Sequence, residues 1–473
     1  MMMRQVPAYT AEAMTKEQFF YAYKQLSHTN VEHLLLESGR DGNLCIAGVN
    51  PLAKLQALDG DNLQITWRDG TEEVRTGDPL ELVTSFVNSY EVAFIPELPE
   101  FQGGVAGFVS YDYVRRYEDL PNETRDDFQT PDLFFYLFDE WTVLDCETET
   151  AYFITLPGSA VVPEVSAKKW RNAALVGLKN QSFVQGEAIE PIENEEELEV
   201  SVTGPEFEKM VRDVQDYISC GDVIQVNLSV RQSKSLTTDP LTMYEALRSF
   251  NPSPYMASIG SEVFSVVSGS PELLLKKRGH ELTTRPIGGT RPRGATEKED
   301  VGYEVDLVSN KKETSEHIML VELEKEDLER VCVPGTVETD EFMVVERYSH
   351  VMHLVSNVRG TAVDGISNAA IVKSVFPGGT ITGAPKLRTM EIIEELEPVR
   401  RGLYTGSIGW FGFNGDFELN VVIRTAYIKD GVAHIQAGAG LVADSVPKEE
   451  YVESLAKGKA LWQAKEMAEN VKG

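Results

Sequence analysis

Cysteine, long apolar runs and positive charge are all scarce in this chain of 473 residues. Its four cysteines form no C-x-x-C pair, which excludes a disulfide scaffold and a cysteine-based zinc site and fits a reducing cytosol. No apolar run approaches the roughly 18 residues of a membrane-spanning helix, and the N-terminus lacks the apolar core of a signal peptide. We therefore expect a cytoplasmic protein.

The charge balance narrows the expected partners. Lysine and arginine number 44 against 75 acidic residues, a net charge of −31. Phosphate backbones and anionic membranes bind basic surfaces, so nucleic acid and membrane are excluded as partners. An anionic substrate would need a locally positive site on this negatively charged protein.

Composition divides the chain into two lobes. Residues 185–202, QGEAIEPIENEEELEVSV, are dominated by acidic side chains and predict a solvated linker. The linker separates an N-terminal lobe, residues 1–184, from a C-terminal lobe, residues 203–473.

Hydrophobic periodicity predicts helices and strands in both lobes. Thr15 and Gln18 have capping-box spacing and predict a helix start, as does Thr203. VIQVNLSV alternates as a strand, with Gln225 and Asn227 on one face, which lies toward solvent or lines a site. Further helices are predicted at 303–330, 365–375, 385–396 and 447–468.

Two acidic pairs are spaced for a single helix face. Glu313 and Glu316 are three residues apart, as are Glu450 and Glu453. If the two faces meet, they form an all-oxygen cluster suited to Mg²⁺. The alternative is two solvated helix faces in an acidic protein.

Glycine-rich and basic positions suggest anion binding. GAGLVAD, at 438–444, matches G-x-G-x-x-A, but Pro447 follows almost at once, which excludes a dinucleotide-binding βαβ unit. A glycine turn that offers N–H groups to an anion stays open. Arg424 ends the apolar strand VVIRT, where a buried guanidinium calls for a carboxylate ligand. His350 and His353, in YSHVMH, are structural residues or a general acid.

Together these motifs resemble the chorismate-utilising enzymes over nearly the whole chain. The matching strings are LLES at 35–38, GGVAGFVSYD at 103–112, NPSPYM at 251–256, PIGGTRPRG at 286–294, SEHIML at 315–320, YSHVMH at 348–353, FPGGTITGAPK at 376–386, RRGLYTGSIGWFG at 400–412, VVIRT, and QAGAGLVADSVP with Glu453. The two-lobed pattern is that of the members that aminate chorismate.

The resemblance implies an α+β fold of the anthranilate synthase component I type, with two β-sheets packed as a sandwich and flanked by helices. It assigns Mg²⁺ to Glu316 and Glu453, with Glu313 and Glu450 nearby. His353 would act as an acid, Thr380 would orient the substrate, and Gln225 would face the nucleophile. The implied substrate-binding residues are Gly289, Thr290, Tyr404, Arg424, the turn Gly438, Ala439 and Gly440, and Lys457.

The resemblance also implies a tryptophan pocket in the N-terminal lobe. Its residues would be Leu36, Glu37, Ser38, Asn251, Pro254, Tyr255 and Met256. Glu37 would pair with the ligand's ammonium group. A plain strand and turn is the alternative reading of these segments.

The residue at position 225 indicates which nucleophile attacks the substrate. Members of the family that add water carry a lysine base at this position, whereas a glutamine fits ammonia, which needs no strong base. No glutaminase triad is visible, so the resemblance implies a separate glutamine amidotransferase subunit as the ammonia donor.

The expected product is 4-amino-4-deoxychorismate, with anthranilate as the alternative. The Gly378-Gly379-Thr380 loop and Asn420 favour the first, although Gly288 replaces the lysine nucleophile of some aminodeoxychorismate synthases. A non-catalytic tryptophan-sensing or docking protein is a remote alternative. The chain departs from the family at Glu322, Lys325, Glu326 and Glu329, which would alter either metal affinity or domain contacts.

Overall fold

A computed structural model describes residues 5–38, 44–58, 60–179, 198–347 and 351–470, and its elements are numbered along the chain. The strands are β1 (Ala8–Ala13), β2 (His33–Glu37), β3 (Leu44–Val49), β4 (Ala53–Leu58), β5 (Asn62–Trp67), β6 (Glu72–Thr76), β7 (Gly104–Val109), β8 (Leu133–Leu137), β9 (Glu140–Asp145), β10 (Thr150–Thr155), β11 (Glu199–Val200), β12 (Gln225–Ser235), β13 (Tyr255–Gly260), β14 (Ser265–Ser270), β15 (Leu273–Arg278), β16 (Glu281–Arg285), β17 (Ile287–Pro292), β18 (Glu338–Arg347), β19 (Val351–Thr361), β20 (Gly383–Ala384), β21 (Ser407–Gly412), β22 (Phe417–Asn420), β23 (Thr425–Lys429) and β24 (Val432–Leu441). The helices are α1 (Lys16–Ser27), α2 (Pro79–Asn88), α3 (Pro163–Lys179), α4 (Gly204–Cys220), α5 (Pro240–Phe250), α6 (Glu297–Ser309), α7 (Lys311–Glu329), α8 (Asn368–Val375), α9 (Lys386–Leu396), α10 (Pro447–Ala456) and α11 (Lys459–Glu469).

The strands form two antiparallel sheets of 12 strands each. The first sheet has the order β1-β10-β9-β3-β2-β13-β14-β23-β24-β12-β11, and β20 also pairs with β12. The second has the order β17-β19-β16-β15-β22-β21-β7-β8-β4-β5-β6, and β18 also pairs with β19. Each sheet therefore combines strands from before and after the predicted linker. Of that linker, residues 185–197 lie outside the described residues.

The two sheets pack face to face around an aromatic core. Leu34 and Trp141 of the first sheet and Phe108 and Phe134 of the second belong to one buried cluster. Successive side chains of a strand point to opposite faces, so Leu35, next to Leu34, packs instead in the cluster that includes residues of α1, α3, α5 and α11. This arrangement confirms the predicted α+β sandwich flanked by helices.

Two predicted helices are each divided in the structure. The helix predicted at 303–330 is α6 followed by α7, because the Asn310 side chain accepts hydrogen bonds from the Lys312 and Glu313 N–H groups and caps a new helix. The helix predicted at 447–468 divides at Gly458 into α10 and α11. The capping boxes at Thr15 and Thr203 are both present. Among the described residues, no helix is long and apolar enough to cross a membrane.

Candidate active site

One cavity of about 580 Å³ is lined by residues of β12, β17, β19, β24, α7 and α10. Of the residues predicted for catalysis, substrate or metal binding, it is lined by Gln225, Gly289, Thr290, Glu313, Glu316, His353, Thr380, Tyr404, Arg424, Gly438, Gly440, Glu450, Glu453 and Lys457. Side chains from distant parts of the C-terminal half therefore converge on a single site. Residues 348–350, which include His350, lie outside the described residues.

Gly438, Ala439 and Gly440 lie within strand β24, so the predicted turn is wrong. The strand pairs with β12, with Asn227 opposite Gly440. A Cβ atom on Gly440 would lie 2.3 Å from Gln225 Nε2, and one on Gly438 would lie 2.6 Å from Asn227 Oδ1. The glycines therefore make room for two amide side chains. The strand alternation continues through them, which places Ala439 in the apolar cluster of the other face.

The polar face of β12 lines the site. Gln225 is 3% exposed and its Nε2 donates a hydrogen bond to Glu316 Oε1 at 3.3 Å. Asn227 is 8% exposed. The sequence left open whether this face of the strand lies toward solvent or lines a site. In the structure it lines the site.

The two acidic pairs face this cavity from α7 and α10. Burial and the neighbouring charge of Glu313 raise the pKa of Glu316, and burial and the charge of Glu453 raise the pKa of Glu450. Glu313 pairs with Arg291 at 2.9 Å and Glu453 with Lys457 at 2.9 Å. Each pair therefore combines one carboxylate that has an ion-pair partner with one whose ionised form is disfavoured.

Magnesium fits this donor set. No three His, Cys, Asp or Glu side chains of the described residues form a cluster that could hold a metal ion unaided. Mg²⁺ typically takes one or two protein carboxylates and completes its shell with water and substrate oxygens. The four carboxylates therefore suit an ion that binds together with an acidic substrate.

Arg424 supplies unneutralised positive charge to the cavity. Its Nη1 donates to the Lys457 carbonyl oxygen at 3.0 Å, and no carboxylate lies within 4.0 Å of its guanidinium in the part of the chain that the structure describes. Burial lowers the pKa of Arg424. Its backbone has a φ of 51°, a left-handed conformation that costs free energy in a non-glycine residue and recurs at functional sites. This guanidinium is available to an anionic ligand.

A β-bulge positions His353. The register between β17 and β19 shifts between Gly288 and Thr290, and Gly289 has a φ of 59°, as a bulge glycine requires. His353 Nδ1 then lies 3.0 Å from Thr290 Oγ1 and 3.2 Å from the Gly289 carbonyl oxygen. Burial lowers the pKa of His353. A neutral imidazole donates a hydrogen bond but is a weak acid, so the structure weighs against a cationic acid here.

Glu272 is a buried acid that the sequence reasoning missed. It is 5% exposed, lines the cavity, and accepts a hydrogen bond from Thr380 Oγ1 at 2.8 Å. Burial raises the pKa of Glu272 to about 7, so about half of it is protonated at neutral pH. No local sequence pattern marks Glu272, because its significance lies in its burial, and carboxylates are almost never fully buried unless they are paired.

The residues that depart from the family pattern lie away from the cavity. Glu322, Glu326 and Glu329 are exposed on α7, and Lys325 pairs with Glu322 at 3.0 Å. None of the four lines the site. The interpretation in which these carboxylates join the metal site is therefore not supported.

Comparison with known proteins places the chain in a family. Residues 32–463 match the sequence profile of chorismate binding enzymes. The chain belongs to the chorismate-binding enzyme family. It is 46% identical over 459 residues to aminodeoxychorismate synthase component 1 of Bacillus subtilis (strain 168), covering 96% of both chains.

Anthranilate synthases of the same family are also similar. Component 1 from Pseudomonas putida is 42% identical over 399 residues, covering 83% of this chain and 80% of that protein. The crystal structure of component I from Streptococcus pneumoniae TIGR4 superposes with a TM-score of 0.76 at 32% identity, covering 89% of this chain and 92% of that one. The resemblance and the fold predicted from the sequence are both confirmed.

Gly288 and Asn420, which the sequence analysis used to choose between the two possible products, lie in different surroundings. A Cβ atom on Gly288 would lie 2.7 Å from His317 Nδ1, so the buried His317 leaves no room there for a lysine. Asn420 lines a different cavity, where its Oδ1 accepts a hydrogen bond from the Ile408 N–H at 2.8 Å. Asn420 therefore does not bear directly on the reacting centre.

That second cavity, of about 820 Å³, lies where this chorismate-binding chain was expected to hold tryptophan. It is lined by six of the seven residues predicted for that pocket: Leu36, Glu37, Ser38, Pro254, Tyr255 and Met256. Asn251 is not among its described lining residues, because it caps the C-terminus of α5. Pro271 and Ile287 line both cavities, so the two share a wall.

Glu37 in the second cavity is already neutralised. Its carboxylate accepts hydrogen bonds from Arg248 Nη2 at 2.7 Å and from Tyr244 Oη at 2.8 Å, and Lys16 Nζ lies 3.6 Å away. Burial alone would raise the pKa of Glu37, but the Arg248 charge and hydrogen bonds lower it. The predicted pairing of Glu37 with a ligand's ammonium group would thus compete with an existing ion pair.

Proposed function

We propose that this chain aminates chorismate with ammonia to give 4-amino-4-deoxychorismate. The observation that carries the proposal is one cavity that combines an unpaired guanidinium, two repelling carboxylate pairs and an amide beside Glu316. Chorismate is a dianion, and this combination would bind two carboxylates, with glutamine instead of a lysine base at position 225. The 46% identity to an aminodeoxychorismate synthase component supports the same choice.

Each group has a role that follows from its position. Arg424 and Tyr404 would bind the enolpyruvyl carboxylate, and Lys457 would add positive charge at the same end of the cavity. Glu316 and Glu453, with Glu313 and Glu450 nearby, would hold Mg²⁺. When bound, the ion supplies charge neutralisation at the ring carboxylate and stabilises the departing group.

Glu272 and Thr380 would act at the ring hydroxyl. In the overall change the nitrogen of ammonia bonds to C4, the C4–oxygen bond breaks, and the oxygen leaves as water. The protonated form of Glu272 can supply the proton that the departing hydroxide needs, with Thr380 holding the carboxyl group in place. His353, neutral and held by Thr290, would orient the substrate by hydrogen bonding.

Anthranilate synthesis is the second candidate. It is favoured by the 42% identity to an anthranilate synthase component and by the position of Asn420 outside the cavity. Attack at C2, with loss of the C4 hydroxyl as water and then of the enolpyruvyl group as pyruvate, would use the same carboxylates and Arg424. Both reactions therefore release the C4 hydroxyl as water, and they differ in where the nitrogen attaches and in whether pyruvate also leaves.

The ammonia donor is proposed to be a glutamine amidotransferase subunit. Relatives are named as component 1 of their synthases, which implies a second component, and no glutaminase triad is visible in the sequence of this chain. The purified chain should consume chorismate with Mg²⁺ and ammonium, and with glutamine only after an amidotransferase is added. Absence of chorismate consumption with ammonium would refute the proposed amination. Glutamine-dependent turnover by the chain alone would refute the separate donor.

A further inference from the structure

A buried ion pair lies directly behind the wall of the catalytic cavity. Arg401 Nη2 donates to Glu397 Oε1 at 2.7 Å and Arg401 Nε donates to Glu397 Oε2 at 3.0 Å. The two side chains are only 1% and 2% exposed, and neither is among the residues that line the cavity. Because removing two charges from water is costly, a buried ion pair is weak evidence for stability. Its contacts therefore indicate what else it does.

Arg401 contacts three separate parts of the cavity wall. Its Nη1 donates to the Ile381 carbonyl oxygen at 2.9 Å, and its Nη2 donates to the Asn227 carbonyl oxygen at 2.7 Å. Its guanidinium carbon also lies over the Tyr404 ring, 5.5 Å from the ring centre. Ile381, Asn227 and Tyr404 all line the cavity. A guanidinium can join all three because its donors form a planar fork and its face stacks on aromatic rings.

Glu397 extends these contacts to a fourth part of the wall. Its Oε1 accepts hydrogen bonds from the Ser229 N–H at 2.9 Å and from the Ser229 hydroxyl at 2.8 Å. The same hydroxyl accepts a hydrogen bond from Gln436 Nε2 at 2.8 Å, and Gln436 lines the cavity. The ion pair thus joins β12, β24 and the segments that carry Ile381 and Tyr404.

The contact with Ile381 bears most directly on the proposed chemistry. Gly379–Ile381 form one turn of 3-10 helix, so the Ile381 carbonyl oxygen and the Thr380 side chain belong to the same turn. Thr380 Oγ1 donates to Glu272 Oε1 at 2.8 Å from the other side of that turn. A shift of the turn would therefore move Thr380 relative to the buried acid.

We propose that Arg401, held by Glu397, is a positioning residue that fixes the turn Gly379–Ile381 and so keeps Thr380 within hydrogen-bond distance of Glu272. The inference rests on the proposed amination. Arg401 acts only through the residues that it holds, because its guanidinium lies behind the wall and its charge is already paired.

Arg401→Lys separates the charge from the fork of donors. A lysine keeps a positive charge opposite Glu397, but its three donors share one nitrogen and cannot reproduce the planar geometry. Loss of the contact with Ile381 should lower kcat about tenfold, because the acid is then less well placed. Thr380→Val, which removes the hydroxyl itself, should lower kcat by at least as much.

The pH profile distinguishes positioning from a general structural role. The hydrogen bond from Thr380 lowers the pKa of Glu272 against the larger effect of burial, so displacement of Thr380 should raise that pKa further. Because kcat falls as Glu272 loses its proton, the fall should move to higher pH in both Arg401→Lys and Thr380→Val. Glu324 of α7, whose charge also interacts with Glu272, is unchanged in both. The double variant should match Thr380→Val alone, since Arg401 acts through Thr380.

Arg231→Lys is the matched control. Arg231 lies on β12, is 8% exposed and donates from Nη1 to Asp127 Oδ1 at 3.0 Å, but it does not line the cavity. This variant should keep the kcat and the pH profile of the wild-type chain.

The outcomes separate the positioning role from the proposed function. An unchanged kcat in Arg401→Lys overturns the inference. A lowered urea midpoint with the fall in kcat still at the wild-type pH also overturns it, because that result indicates a structural role only. If Arg401→Lys does not fold, Glu397→Gln/Arg401→Gln removes both buried charges together and carries the same expectation. Wild-type chain that consumes no chorismate with ammonium refutes the proposed function itself.

Discussion

The two cavities of this protein share a wall but differ in how completely their charged side chains are paired. In the catalytic cavity, Arg424 has no carboxylate partner among the described residues, and the charge of Glu313 opposes ionisation of Glu316. In the second cavity, Glu37 is matched by Arg248, and Lys276 by Glu418 at 3.3 Å. The first cavity is arranged for charges that arrive with a ligand. The second is complete without one.

This difference predicts which substitutions affect activity and which affect the stability of the fold. Polar and charged groups that gain partners only when a ligand binds raise the free energy of the ligand-free protein, because like charges repel and acceptors lack donors. Groups that are already paired stabilise the fold, and removing one partner strands the other. Substitutions in the first cavity should therefore cost activity, and substitutions in the second should cost stability.

The largest effect is expected at the acidic pairs. Glu316→Gln or Glu453→Gln should reduce chorismate turnover by at least about 100-fold, as expected for loss of metal charge stabilisation. Glu316→Gln should not lower the urea midpoint, because it removes a repelling charge, and Glu453→Gln, which loses an exposed ion pair with Lys457, should lower it little. Glu449→Gln, an exposed neighbour on α10, is the matched control and should retain activity. Near-normal turnover of both site variants in EDTA would contradict the metal assignment.

Glu272 comes next, and its effect depends on pH. An acid with a pKa of about 7 is protonated below that pH, so kcat should fall as the pH rises through 7. Glu272→Gln should lower kcat by about 100-fold and abolish this limb of the pH profile. If the variant retains the fall in kcat above pH 7, the pKa that controls this fall belongs to another group.

How far the sequence predicts this site depends on the kind of signal. The spacing of Glu313 and Glu316 predicts that they share a helix face wherever the helix lies, but it left open whether that face is solvated, and only the resemblance assigned it to a site. Glu272 was missed because its significance comes from burial, which no local pattern reports. The turn at Gly438 was wrong because glycine was interpreted as a bend, whereas here it makes room for side chains of β12. The break at Asn310 was missed although no apolar residue occurs between Val308 and Ile318, an interruption of the periodicity that was the available signal.

In the second cavity, the expected loss is of stability. Glu37→Gln should lower the free energy of unfolding by about 3 kcal/mol, because it leaves the buried Arg248 with only the exposed Glu17 as a counter-charge. Chorismate kcat should be retained at a temperature where the variant is folded. Glu17→Gln, which removes the exposed partner of Arg248 at 3.1 Å, is the control and should cost under about 1 kcal/mol. Equal losses in both variants would contradict the distinction between the two cavities.

The smallest effect concerns tryptophan. If the second cavity holds it, as the family resemblance predicts, calorimetry should show binding, weakened by competition between the ammonium group and Arg248 for Glu37. Glu37→Gln should then weaken binding further if the ammonium pairs with this carboxylate. No heat of binding at millimolar tryptophan would favour a cavity with a structural role only.

The identity of the product tests the central claim most directly. The chain should be incubated with chorismate, Mg²⁺ and ammonium, with anthranilate fluorescence recorded throughout, and a pyruvate-releasing lyase then added. We predict no anthranilate before the lyase and 4-aminobenzoate after it, since attack at C4 retains the enolpyruvyl group. Anthranilate without the lyase, and no 4-aminobenzoate with it, would contradict the account.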